Sequence, residues 1–267
     1  MPSTSGGLSV NGVRLHYEES GAGAPILCIH GGGSSALVWT GTAEGLARLG
    51  RVIAYDRRGC GRSERPEPYE GTTVGEHADD AAALLDALAP APAVVVGRSF
   101  GGWVATELAL RHPGRVRALV LLEPDAPGLS AAADAWVSAF GDRMRAVAAD
   151  AGVDAVGEAL ITEVAGQDAW RSFPEDVRRM LTDNGPALLA ELRAYEAPGA
   201  DPAALAAIVQ PVLLVTAADP LGAGVRQRAG QRLDRLVELG RRVGGGHIID
   251  PASPVVIAFI EQVLGAR

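Results

Sequence analysis

The chain of 267 residues contains no lysine: all 24 of its basic side chains are arginine. That excludes Schiff-base chemistry, lysine-bound pyridoxal phosphate and a phosphate-binding loop built on Lys. Basic residues are outnumbered by 32 acidic ones, for a net charge of −8, which argues against nucleic-acid binding. The two cysteines, Cys28 and Cys60, lack metal-ligand spacing and read as free thiols in a reducing compartment. No apolar run approaches the roughly 20 residues of a membrane span. Residues Met1 to Gly7 carry neither a basic nor an apolar leader segment, so a cytoplasmic protein is expected. What remains is a hydrophobic content of 48%, enough for a folded core, in a length that suits one large α/β unit or two small domains.

The pattern along the chain is one of alternating strands and helices. Leu8-Ser9-Val10, Asn11-Gly12 and Val13 to Glu18 spell a hairpin with a two-residue turn. Pro25 to Ile29, Arg51 to Tyr55, Ala93 to Val96 and Ala118 to Leu122 are short apolar runs, as expected for strands buried on both faces. Helical stretches at Leu37 to Leu49, Thr73 to Leu88 and Trp103 to Arg111 separate them. This alternation implies a parallel sheet flanked by helices. It stops after Glu123. Helical signals then run from Ala131 to Ala149, Asp154 to Val164, Pro174 to Thr182 and Pro186 to Ala197 before Val212 to Val215 resumes the strand pattern. The expected division is a core of residues 1–125, a helical lid of 126–200 and the rest of the core in 201–267. The lid would lie over the strand ends, where such sheets bind ligands.

The chemistry concentrates in Gly97-Arg98-Ser99-Phe100-Gly101. A serine between two glycines, at a turn from strand to helix, is a nucleophile elbow: the turn is too sharp for bulky neighbours, and it exposes the hydroxyl beside a helix N-terminus. Serine needs a base to take its proton. His247, in the flexible Gly244-Gly245-Gly246-His247 loop, is the best of five histidines. The base needs a carboxylate, and Asp219 follows the strand Val212 to Val215 by a short turn. The tetrahedral intermediate needs donors, for which the backbone N–H groups of Phe100 and of Gly32, in His30-Gly31-Gly32-Gly33, are suited. His30 reads as a hydrogen-bonding residue of that loop, and His16, His77 and His112 as structural.

The order Ser99, Asp219, His247, together with His30-Gly31-Gly32, Asp56-Arg57-Arg58-Gly59-Cys60-Gly61-Arg62-Ser63 and Gly246-His247, resembles the α/β-hydrolase superfamily. The Asp56 to Ser63 stretch looks like the loop after the fourth strand in its esterase, cofactor-free haloperoxidase-like and carbon–carbon hydrolase members. The resemblance implies a mostly parallel, eight-stranded sheet with a helical lid inserted after the sixth strand. It also implies a Ser99, His247 and Asp219 triad and no metal or organic cofactor. Some relatives place the triad acid after the sixth strand, where Glu123 and Asp125 stand; Asp219 fills the more common position.

The reaction expected is acyl transfer to water on a small or medium apolar ester or lactone. Carbon–carbon cleavage and perhydrolysis would use the same triad, and a ligand-binding or non-hydrolytic role is the alternative of another class. A serine at the elbow disfavours epoxide hydrolase and dehalogenase chemistry, which needs an aspartate nucleophile. Ser34, Arg98, Trp136, Phe140 and Trp170 are the candidates for substrate contact, although packing roles compete for each; Phe173 and Tyr195 are further large lid side chains. Asp56 and Arg58 are expected to pair within their loop network. Beyond a small-molecule substrate, the final helix and the lid surfaces could support a homodimer.

Overall fold

The computed structural model describes residues 4–129, 131–197, 201–216 and 250–265. The hairpin comes first: β1 (Thr4–Val10) and β2 (Val13–Ser20) pair antiparallel around Asn11 and Gly12. Both turn residues have positive φ, 47° and 75°, as a turn that follows the twist of its strands requires. β3 (Pro25–Ile29), β4 (Arg51–Tyr55), β5 (Ala93–Arg98), β6 (Val116–Leu122) and β7 (Val212–Val215) complete a seven-stranded sheet in the order β1-β2-β4-β3-β5-β6-β7. From β4 to β7 every pairing is parallel. The eighth strand expected from the sequence would follow β7, in residues outside those described.

The alternation of side chains along each strand divides the core between two faces. Leu27, Ile29 and Val95 pack on one face against α2 (Val74–Leu88) and α3 (Phe100–Arg111). Ile26, Cys28, Val94 and Val96 pack on the other, against α1 (Thr40–Leu46) and the last described helix, Pro254–Gly265. Each side chain this deeply buried is worth about 1.5–3 kcal/mol relative to exposure. Helix α2 starts where Thr73 and Glu76 form a reciprocal capping box, which satisfies two orphan N–H groups of its first turn.

Between β6 and β7 the chain is helical: α4 (Ala131–Ala151), α5 (Val156–Ala165), α6 (Gln167–Ser172), α7 (Glu175–Asp183), α8 (Gly185–Glu191) and α9 (Pro202–Leu205). The short α6 was not expected. The stretch expected as one helix from Pro186 ends as α-helix at Glu191 and continues as a 3-10 turn, Leu192–Glu196. This insertion has a small core of its own, in which Phe140, Met144, Val156, Leu188 and Leu192 are buried together. Among the described residues no helix is long and apolar enough to cross a membrane.

Candidate active site

Ser99 sits between β5 and α3 with φ 50° and ψ −124°. A conformation this sparsely populated costs on the order of 1–3 kcal/mol and persists only where the surroundings over-determine it. Here they do. The Ser99 N–H donates to the Leu122 carbonyl at 3.0 Å, and its own carbonyl accepts from Gly102 and Asp125 at 2.7 and 3.2 Å. The flanking glycines follow from contact distance. A Cβ on Gly97 would lie 2.3 Å from the Gly101 carbonyl oxygen, and one on Gly101 would lie 2.3 Å from that of Ile29. No side chain fits in either place.

Beside Ser99 lies the Gly31-Gly32-Gly33 loop that ends β3. A Cβ on Gly31 would be 3.5 Å from the Ser99 Cβ, and one on Gly32 would be 4.0 Å from the Phe100 Cβ. Gly32 and Phe100, the two expected oxyanion donors, are thus neighbours. Phe100 is the first residue of α3, so its N–H belongs to the unpaired, electropositive turn of the helix. His30 is fully buried and behaves as the sequence suggested: Nε2 accepts the Arg57 N–H at 2.9 Å, which leaves Nδ1 to donate to the Gly31 carbonyl at 2.9 Å. Burial, helped by the Arg57 charge, holds its pKa well below the ordinary value, so the ring is neutral.

Ser99 opens into a cavity of about 330 Å³. Its walls are apolar and come mostly from the insertion: Trp136, Phe140, Leu160, Phe173, Leu188 and Leu192. Trp136 and Phe140 stack with ring centroids 5.3 Å apart. Of the five substrate-contact candidates, Ser34, Arg98, Trp136 and Phe140 line this space. Trp170 does not; Phe173, the extended residue that closes α6, takes that place. The reason is the unexpected break at α6: Trp170 lies within the short helix, whereas Phe173 lies where the chain leaves it. The guanidinium carbon of Arg98 sits 5.4 Å from the centre of the buried Trp39 ring.

Among the described residues, two carboxylates also reach the cavity, Asp125 and Glu191. Asp125 follows β6 and accepts from the Ser99 hydroxyl at 3.4 Å and from the Tyr195 hydroxyl. Burial raises its pKa to about 6, against the pull of those two hydrogen bonds. Burial, with Asp125 alongside, likewise pushes the Tyr195 phenol well above its ordinary range. Glu191, at the end of α8, forms a buried ion pair with Arg57 at 2.7 Å. Neither Glu191 nor Arg57 was singled out from the sequence. The available signal was a lone charge in the apolar run Ala187-Leu188-Leu189-Ala190-Glu191-Leu192, because an unpaired charge is rarely tolerated on a buried face.

Asp56 and Arg58 do not pair with each other. Asp56 accepts from the N–H groups of Ala36 and Arg62 at 2.7 and 2.8 Å, and Arg58 makes a two-pronged contact with Asp80 on α2 at 2.6 and 2.7 Å. Asp56 lies 3.5 Å from Arg62 Nε, so each carboxylate pairs with a different arginine. Asp219 and His247 lie outside the described residues.

A family model described as alpha/beta hydrolase fold matches residues 24–190. An uncharacterized hydrolase, YraK of Bacillus subtilis, is 40% identical over 124 residues, which are 46% of this chain and 46% of that protein. The 2-hydroxymuconate semialdehyde hydrolase of Pseudomonas sp. strain CF600 is 44% identical over 114 residues, 42% of this chain and 40% of that one. The chain thus spans less than half the length of these curated relatives. Solved structures match nearly throughout. One from a study of carboxylesterases of Nitrososphaera gargenis has a TM-score of 0.80 at 24% identity, covering 98% of this chain and 100% of that one. Another, of Est816, titled as an N-acyl homoserine lactone degrading enzyme, has a TM-score of 0.73 at 26% identity, covering 98% and 100%.

Proposed function

The chain belongs to the α/β-hydrolase fold family, and on that footing we propose that it is a serine hydrolase cleaving a small or medium apolar ester or lactone. The observation that carries this reading is Ser99, held at φ 50° at the mouth of an apolar cavity of about 330 Å³. Ser99 attacks the carbonyl while His247 takes its proton. The oxyanion develops between the N–H groups of Gly32 and Phe100, which are fixed before the reaction begins. His247 then protonates the leaving group, and water releases the acyl group with the same base. Asp219 orients and stabilises the imidazolium. This scheme requires neither a metal nor an organic cofactor. In it, residues 126–200 act as a lid that gives the cavity its apolar wall, and the enzyme works in the cytoplasm. The Est816 likeness supports a lactone or ester substrate, and the cavity wall supports an apolar acyl group.

Carbon–carbon hydrolysis is the second reading, favoured by the 44% identity with the semialdehyde hydrolase over 114 residues. The acid also has a second reading. Asp125 follows β6, the alternative position for the triad acid, and lies beside Ser99 at 3.4 Å from its hydroxyl; in this reading it orients His247 in place of Asp219. Asp219→Asn and Asp125→Asn, assayed side by side, separate the two by which one loses activity.

The direct test is a fluorophosphonate probe read by intact mass. A single adduct on the wild type, absent from Ser99→Ala, is the expected result. A folded wild type that takes no adduct would overturn the reading.

A further inference from the structure

Gly32 is flanked by two pinned peptides, and the pins lead to one ion pair. A peptide unit is planar, so a fixed carbonyl fixes the N–H on the other side of the same plane. The plane that carries the Gly32 N–H is the one whose carbonyl belongs to Gly31. That carbonyl accepts from Arg57 Nη2 at 2.8 Å and from His30 Nδ1 at 2.9 Å. In the following plane the Gly33 N–H donates to Glu191 Oε2 at 3.0 Å. The other oxygen, Oε1, pairs with the same Arg57 Nη2 at 2.7 Å and accepts from the Cys60 thiol at 3.5 Å.

Arg57 also touches the side chain of Phe100, the residue that carries the second donor. Its guanidinium carbon lies 4.7 Å from the centre of the Phe100 ring, and its Nε donates to the His30 carbonyl at 3.1 Å. Arg57 and Glu191 are 0% and 1% exposed. Losing either member would leave the other charge buried and uncompensated, so the pair is a fixture of the interior and not a surface contact, although Arg57 Nη1 itself has no hydrogen-bond partner among the described residues. Glu191 comes from the helical insertion, whereas Gly32, Gly33 and Arg57 come from loops at the ends of β3 and β4. The wall of the cavity therefore also grips the loop that carries the Gly32 N–H.

We propose that Glu191 is a positioning residue for the oxyanion hole: by bridging the Gly33 N–H and Arg57, it holds the Gly32 N–H in the orientation that receives the developing negative charge. The inference rests on the serine-hydrolase reading. Its consequence is specific to the transition state, because a substrate carbonyl needs this donor far less than an oxyanion does.

The test uses the full chain, a p-nitrophenyl butyrate assay and active-site titration with the fluorophosphonate. Glu191→Gln can accept from Gly33 or from Arg57 but not from both. Its kcat per titrated Ser99 is expected to fall about 10- to 100-fold with KM within about threefold. Affinity for a boronic acid that forms a tetrahedral adduct should fall in parallel, while affinity for the butyrate product should not change. A role confined to stability would reduce the titrated fraction and leave kcat per site alone; a kcat per site within twofold of wild type would overturn the proposal. Should that variant not fold, Glu191→Asp keeps the charge, shortens the reach and carries the same expectation. A wild type that neither labels nor hydrolyses overturns the hydrolase reading itself, and does so before any Glu191 variant is made.

Discussion

Tyr195 gives its hydroxyl hydrogen to Asp125 across the floor of the cavity, and Asp125 offers its other oxygen to Ser99. The carboxylate so held has its pKa raised to about 6 from an ordinary 3.8. In the unfolded chain it ionises at the ordinary value. Between about pH 4 and pH 6 the native state therefore holds the extra proton, and stability falls as pH rises through that window. The total is about 3 kcal/mol for a shift of about two units. Asp125→Asn lacks this term, so its stability relative to wild type should improve from pH 4 to pH 7.5. Urea unfolding of both proteins at the two pH values checks the sign; a difference independent of pH would refute it.

At the elbow, Gly97→Ala should be severe, because the new Cβ meets a backbone oxygen 2.3 Å away. Backbone must shift, at a cost of about 3 kcal/mol or more, in the range where overpacking is worst. Thermal unfolding should drop by roughly 6–12 °C at about 2–4 °C per kcal/mol. An unchanged midpoint would mean that the elbow is looser than its contacts indicate.

Removing one member of the Arg57–Glu191 pair leaves the other buried and uncompensated. Arg57→Leu is expected to lose about 3–5 kcal/mol of stability, and adding Glu191→Leu should recover part of that loss. A double-mutant cycle in urea measures the coupling. Additive losses would show that the two charges do not depend on each other.

The walls of the cavity predict selectivity. Trp136→Ala opens space in the cavity that Ser99 lines and should shift p-nitrophenyl ester preference toward longer acyl chains, with KM for the butyrate rising about tenfold, equivalent to about 1.4 kcal/mol of lost apolar contact. Trp170→Ala should leave the chain-length profile unaltered. A shift with Trp170→Ala and none with Trp136→Ala would reverse the assignment of the wall.

The elbow was legible in the sequence because its geometry admits so few residues: a glycine at 97 and another at 101 are written into the chain by steric necessity. The Asn11-Gly12 hairpin and the Thr73 start of α2 were legible for the same local reason. The Arg57–Glu191 pair was not. Its partners meet only after α8 has folded over the β3 and β4 loops, and nothing near either residue announces the other. The break at α6, which put Phe173 and not Trp170 against the cavity, also escaped a reading by periodicity: six residues are too few to set a repeat. The lines of the triad through Asp219 and His247 fall in residues outside those described.

The insertion's private core has a consequence for how such a protein diversifies. Phe140, Met144, Val156, Leu188 and Leu192 pack on one another and apart from the sheet, yet most of the cavity's wall stands on the same helices. Besides Leu188, which packs over Gly32 and Gly33, several polar fasteners tie the insertion to the reactive loops: Glu191 on Arg57, Tyr195 on Asp125, and Asn184, which accepts from the Gly61 N–H and donates to the Ser34 carbonyl, each at 2.9 Å. Substitutions within the helices can remould what enters while the fasteners keep the nucleophile's surroundings in place. Selectivity can then drift over generations without the chemistry having to be reinvented.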